Sequence, residues 1–61
     1  MTNLSGQHIL ITGASSGIGK SVAEYLAKYG ANLTITGRDE KRLTETYESL
    51  DGDRHFIVPI D

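Results

Sequence analysis

Gly13, Gly17 and Gly19, with Ser15 and Ser16 between the first two, form the densest group of residues in this chain that could do chemistry. A glycine at the end of a strand lets the backbone leave in a tight turn. Glycines further on remove side chains where backbone must approach a ligand or a neighbouring strand. If such a turn opens a helix, the unpaired N–H groups of its first turn and the positive end of its dipole attract an anion, and a diphosphate suits this spacing. Ser15 and Ser16 would add hydroxyl donors. The same residues also fit a glycine-rich connection that holds no ligand.

A second phosphate chemistry overlaps the first. Residues 14–21 follow the pattern G-x-x-x-x-G-K-[ST] with Ala14 in place of its first glycine. Lys20 would then reach the terminal phosphates of a nucleoside triphosphate, and Ser21 would bind Mg²⁺. The apolar stretch from Phe56 to Asp61 would imitate a strand ending in a metal-binding aspartate, although Pro59 interrupts it. The function would be phosphoryl transfer or hydrolysis.

Other polar groups make weaker patterns. His8 and His55 lack partners at metal-ligand spacing and fall at predicted strand starts, so both read as structural. Glu40, Glu45 and Glu48 interleave with Lys41 and Arg42 as on an ordinary solvated helix face. Asp51, Gly52 and Asp53 are too short a run for a calcium loop and read as a turn.

The glycine turn needs a strand before it and a helix after it. His8, Ile9, Leu10, Ile11 and Thr12 are a short apolar run with β-branched residues, which predicts a strand. Over residues 17–29, Ile18, Val22, Leu26 and Tyr29 recur at helical spacing beside Ala23 and Ala27, and Gly30 stands where a C-terminal cap is expected. Leu33, Thr34, Ile35 and Thr36 predict a second strand. Asp39 is placed to cap a second helix carrying Leu43, Tyr47 and Leu50 on one stripe. Residues 55–61 predict a third strand, at a sheet edge because Pro59 cannot donate to a ladder.

The order β-α-β-α-β calls for a parallel sheet with right-handed crossovers, which put both helices on one face. Apolar strands of this kind expect cover on both faces, and these residues supply it on one. The expectation is therefore the first part of a larger α/β domain.

Composition narrows the function classes. The chain has 61 residues, a formal charge of -2 and no cysteine. This excludes a second domain, a disulfide framework and a cysteine-liganded zinc site. Mild acidity argues against nucleic-acid binding. No apolar run approaches the roughly 20 residues that span a bilayer, and the first residues lack a signal-peptide layout. A cytoplasmic protein without membrane partners is expected.

Residues 12–19 read TGASSGIG, and this octapeptide resembles the TGxxxGxG cofactor turn of the short-chain dehydrogenase/reductase family. The resemblance extends from Leu4, Ser5 and Gly6 through Gly37 and Arg38 to Pro59, Ile60 and Asp61. It is greatest to bacterial 3-oxoacyl-carrier-protein reductases. It implies a Rossmann-type half with strand order 3-2-1, an incomplete part of a doubly wound fold, and residues 1–61 as the N-terminal segment of one NAD(P)-binding domain. It implies that Ser15 and Ser16 lie by the adenosine ribose and its phosphate, that the Ile18 amide lies by the pyrophosphate, and that Asp61 meets the adenine amino group. Gly13, Gly17 and Gly19 shape the turn. The parent would be a homo-oligomer that reduces a carbonyl, on a small molecule or an acyl carrier, or oxidises an alcohol.

The family's catalytic tyrosine is followed four residues later by a lysine. Here Tyr25, Tyr29 and Tyr47 are followed at that distance by Tyr29, Leu33 and Asp51. No catalytic residue is assigned, and the 61 residues alone are expected to be inactive. An acid at the end of the second strand accepts from the ribose 2′-OH of NAD, whereas an arginine accommodates the 2′-phosphate of NADP. Gly37 stands where NAD-using members carry the acid, and Arg38 follows it. NADP is therefore expected over NAD, although Ser16 stands where NADP-using members often carry a second basic residue.

Overall fold

A computed structural model describes residues 3–60 of the chain. Strand β1 (His8–Ile11), helix α1 (Gly17–Lys28), strand β2 (Asn32–Gly37), helix α2 (Glu40–Glu48) and strand β3 (Phe56–Pro59) follow in that order. The three strands are parallel and β2 is central, so the sheet has the expected order 3-2-1. None of the described helices is long and apolar enough to cross a membrane.

Strand alternation sorts the side chains. Ile9 pairs with Leu33, and Ile11 with Ile35, which in turn pairs with Ile57. The period of two carries these residues to one face, where Leu33 and Ile35 are completely enclosed together with Ala23 and Ala27 of α1 and Leu43 of α2. Both helices thus cover the same side. On the other face Leu10 is 62% exposed, Phe56 61% and Val58 45%, and His8 Nε2 meets Thr34 Oγ1 at 2.8 Å. No described helix covers this face, as the two right-handed crossovers predict. At the end of β2, where the glycine turn meets the strand, Thr36 is buried and its Oγ1 has no hydrogen-bond partner among the described residues.

Helix α1 turns its small residues, rather than its largest apolar ones, to the sheet. Ile18 is 82% exposed and Val22 45%, whereas Ala23 and Ala27 are buried. Gly19, Ala23 and Ala27 recur at i, i+4 on one line of the helix, and that small-residue line faces the sheet. A larger residue on it would hold the helix away from β1 and β2. Of the apolar stripe, Leu26 packs partly buried against the core whereas Ile18 and Val22 are exposed, and the rings of Tyr25 and Tyr29 meet tilted by 53° with centres 4.9 Å apart.

The helix ends are closed by their own residues. Ser16 caps α1 by accepting from the Gly19 N–H at 3.0 Å, and Asp39 caps α2 by accepting from the Arg42 N–H at 3.1 Å. Beyond the last turn of α1, Gly30 adopts φ +99°, which suits glycine, and its N–H donates to Ala27 O at 3.0 Å.

His55 just precedes β3 rather than beginning it. The Leu33 N–H, which faces β3, donates to His55 Nδ1 at 3.0 Å, so the ring continues the ladder in place of backbone. With Nδ1 accepting, the ring proton sits on Nε2, which donates to Asp51 O at 2.5 Å. Both histidines are structural in this fold, but only His55 is buried. His55→Ala, which orphans the buried Leu33 amide, is expected to cost about 1–3 kcal/mol, against under about 1 kcal/mol for His8→Ala. Urea midpoints of the full-length protein measure the difference.

Candidate functional site

The site is the connection from β1 to α1. Gly13 has φ +70° and turns the chain at the strand end. The Ala14 N–H then donates to Thr36 O at 2.9 Å, tying the turn to the end of β2. Ser16 closes the loop from within: its N–H and its hydroxyl both donate to Gly13 O, at 3.1 and 2.8 Å.

Gly17 and Gly19 are glycines for different reasons. A Cβ on Gly19 would drive into the Gly13 carbonyl and stand 2.9 Å from Ala14 Cα. This glycine is dictated by helix-to-strand packing. A Cβ on Gly17 would meet nothing within 4 Å. No internal contact accounts for Gly17, and its missing side chain leaves open space in front of the helix start.

That space is bordered by unused donors. Ser16 O accepts the first helical bond, from Lys20 N–H at 2.9 Å, and Ser16 Oγ takes the Gly19 N–H. The amides of Gly17 and Ile18 have no acceptor among the described residues. Ile18 therefore offers its amide, while its side chain points to solvent. Two aligned N–H groups at a dipole's positive end, with no Cβ in front of them, make a cradle for a phosphate oxygen.

A cavity of about 190 Å³ adjoins this cradle, lined by Ser15, Ser16, Gly17, Lys20, Arg42, Glu45 and Thr46. Arg38 follows β2 and is exposed, with no ion pair among the described residues. Asp39 caps α2 and lies 3.6 Å from Arg42 Nε, so helix formation accounts for it. Gly13, Ser15, Ser16, Gly17, Ile18 and Gly19 lie together in the turn and the first residues of α1, and Arg38 follows β2, the strand to which Ala14 ties the turn. Asp61 lies outside the described residues.

Thr46 has a part that sequence patterns do not reveal. It is 1% exposed, and its hydroxyl lies 2.9 Å from Ala14 O and 3.1 Å from Arg42 O, donating to these carbonyls. It fastens α2 to the glycine turn. The available signal is its place three residues after Leu43, on the buried side of α2.

In comparison with known proteins, the family model "short chain dehydrogenase" matches residues 7–61. An uncharacterized oxidoreductase of Staphylococcus saprophyticus is 43% identical over 58 residues, covering 95% of this chain and 25% of that protein. The crystal structure of glucose dehydrogenase from Caenorhabditis elegans superposes with a TM-score of 0.88 at 35% identity, covering 98% of this chain and 27% of that one. A short chain dehydrogenase/reductase from Burkholderia phymatum, in complex with NAD, gives 0.86 at 35% identity, covering all of this chain and 22% of that one. The chain spans about a quarter or less of the relatives' lengths.

The two glycines should separate by experiment. Gly19→Ala is expected to destabilise the full-length protein by roughly 1–3 kcal/mol through overpacking, whereas Gly17→Ala should stay within about 0.5 kcal/mol of wild type. Thermal melting reads the stability difference, and titration with a dinucleotide should find Gly17→Ala folded but weak in binding.

Proposed function

The chain belongs to the short chain dehydrogenase family, and on that premise we propose that it is the N-terminal, cofactor-binding segment of an NADP-dependent oxidoreductase. The observation that carries this reading is the pair of unpartnered amides of Gly17 and Ile18, behind open space that a Cβ at residue 17 would fill. These amides hold the diphosphate bridge. Ser15 and Ser16 lie toward the adenosine ribose, Arg38 takes the 2′-phosphate, and Asp61 meets the adenine amino group.

Arg38 is suited to the phosphate because its charge is permanent and no described carboxylate neutralises it. When bound, the nicotinamide supplies hydride chemistry, reducing a carbonyl or, in reverse, oxidising an alcohol. The residues of this chain bind and orient the cofactor's adenosine diphosphate end. They include no tyrosine followed four residues later by lysine, so residues 1–61 carry no catalytic activity on their own. The substrate is a carbonyl compound, on a small molecule or an acyl carrier, and belongs to the whole, homo-oligomeric protein.

The test is a titration of the full-length protein with NADPH and NADH. Arg38→Asp should weaken NADPH by roughly 10- to 100-fold, as expected for a lost charged hydrogen bond, and should favour NADH. Unchanged preference overturns the assignment of Arg38. Lys20→Ala should leave NADPH binding near wild type. Loss of all nucleotide binding in that variant, with MgATP preferred by the wild type, would instead support the phosphoryl-transfer chemistry that residues 14–21 imitate.

A further inference from the structure

We propose that Thr46 of α2 is a positioning residue for the phosphate cradle: its hydroxyl holds the Ala14–Ser15 peptide in the orientation that aims the Gly17 and Ile18 amides at an anion. The inference rests on the dinucleotide reading above. Each peptide plane of the turn is fixed by a different part of the molecule. Strand β2 fixes the Gly13–Ala14 plane, whose N–H donates to Thr36 O at 2.9 Å. The turn itself fixes the Ser15–Ser16 plane, whose N–H donates to Gly13 O at 3.1 Å. Helix α1 fixes the Ser16–Gly17 plane, whose carbonyl accepts from Lys20 N–H at 2.9 Å and which carries the Gly17 amide. The plane between, Ala14–Ser15, has no backbone bond among the described residues. Its carbonyl has the Thr46 hydroxyl alone, at 2.9 Å.

That hydroxyl has one hydrogen and two carbonyls in reach, Ala14 O and, at 3.1 Å, Arg42 O. Arg42 O lies inside α2 and is served by the helix ladder. Ala14 is completely buried, so its carbonyl has no solvent to turn to and takes the hydrogen. Without Thr46 the carbonyl is orphaned, and rotating the Ala14–Ser15 plane toward solvent is the direct repair. Such a rotation pulls Ser15 from its seat on Gly37, where the fit is so close that a Cβ on Gly37 would stand 2.7 Å from Ser15 Oγ. It also displaces the next planes along the chain, which carry the cradle. Thr46 thus acts on the cofactor through Ala14, and its loss weakens both dinucleotides alike.

The experiment titrates NADPH and NADH against full-length wild type, Thr46→Val, Thr46→Ser and His55→Ala, with the melting temperature of each measured alongside. Thr46→Val keeps the shape and removes the hydroxyl. It should weaken both cofactors by roughly 5- to 20-fold, as for one lost buried hydrogen bond, with their ratio unchanged. Thr46→Ser retains the hydroxyl and should bind within about threefold of wild type. His55→Ala removes a buried group bonded to β2 and to Asp51 rather than to the turn, so it should melt earlier yet bind both cofactors as wild type does. Full affinity in folded Thr46→Val, an equal loss in Thr46→Ser, or a similar loss in His55→Ala overturns the proposal. If Thr46→Val does not fold, Thr46→Ala removes the hydroxyl without setting a methyl against Ala14 O. Weakened binding of both cofactors then supports the proposal, and undiminished binding overturns it. A wild type that binds neither dinucleotide defeats the cofactor reading itself, before any variant is compared.

Discussion

The approach of Gly19 to the backbone of Gly13 and Ala14 is the constraint on which the rest of the site depends. It presses the first turn of α1 against the end of β1, closer than any side chain would allow, and so fixes where the helix starts and which way it runs. The turn is held from two further directions. Ala14 N–H binds β2 through Thr36 O, and Ala14 O accepts from Thr46 of α2. With both polar groups of Ala14 engaged and Ser16 bonded back to Gly13, little freedom remains. The amides of Gly17 and Ile18, without acceptors among the described residues, are thereby held in place, so an anion bound by them would cost little ordering.

The same constraint shows how much was legible in the residues alone. The succession of strands and helices, the Asp39 cap, the glycine after α1 and the place of the glycine turn all follow from local chemistry, because each is set by a few neighbouring residues. The orientation of α1 is not local. Hydrophobic spacing picks out Ile18 and Val22, but contact with the strands selects the line of Gly19, Ala23 and Ala27, since only small residues admit so near an approach. A moment built from hydrophobicity cannot register that the decisive property of a residue is its lack of volume.

The site divides along the same line. Gly13, Ser16 and Arg38 are readable from type and spacing. Thr46 and the contact of Ser15 with Gly37 join residues far apart in sequence, through the packing of α2 and β2 against the turn. His55 belongs with them: a histidine at a strand start gives no hint that its ring will accept the Leu33 amide. Long-range hydrogen bonds of this kind are consequences of the assembled layers rather than of any local motif.

Pro59 has an effect beyond ending a strand. Gly37 O accepts the Ile60 N–H at 3.0 Å, so in the alternation of β3 the Pro59 nitrogen is turned to the outer rim of the sheet. That rim, which no other described strand borders, thus lacks a donor at a position where an incoming chain would need one. With only four residues in β3, too little template remains for unwanted strand addition. The residue that makes β3 a poor neighbour on one side is a safeguard against aggregation.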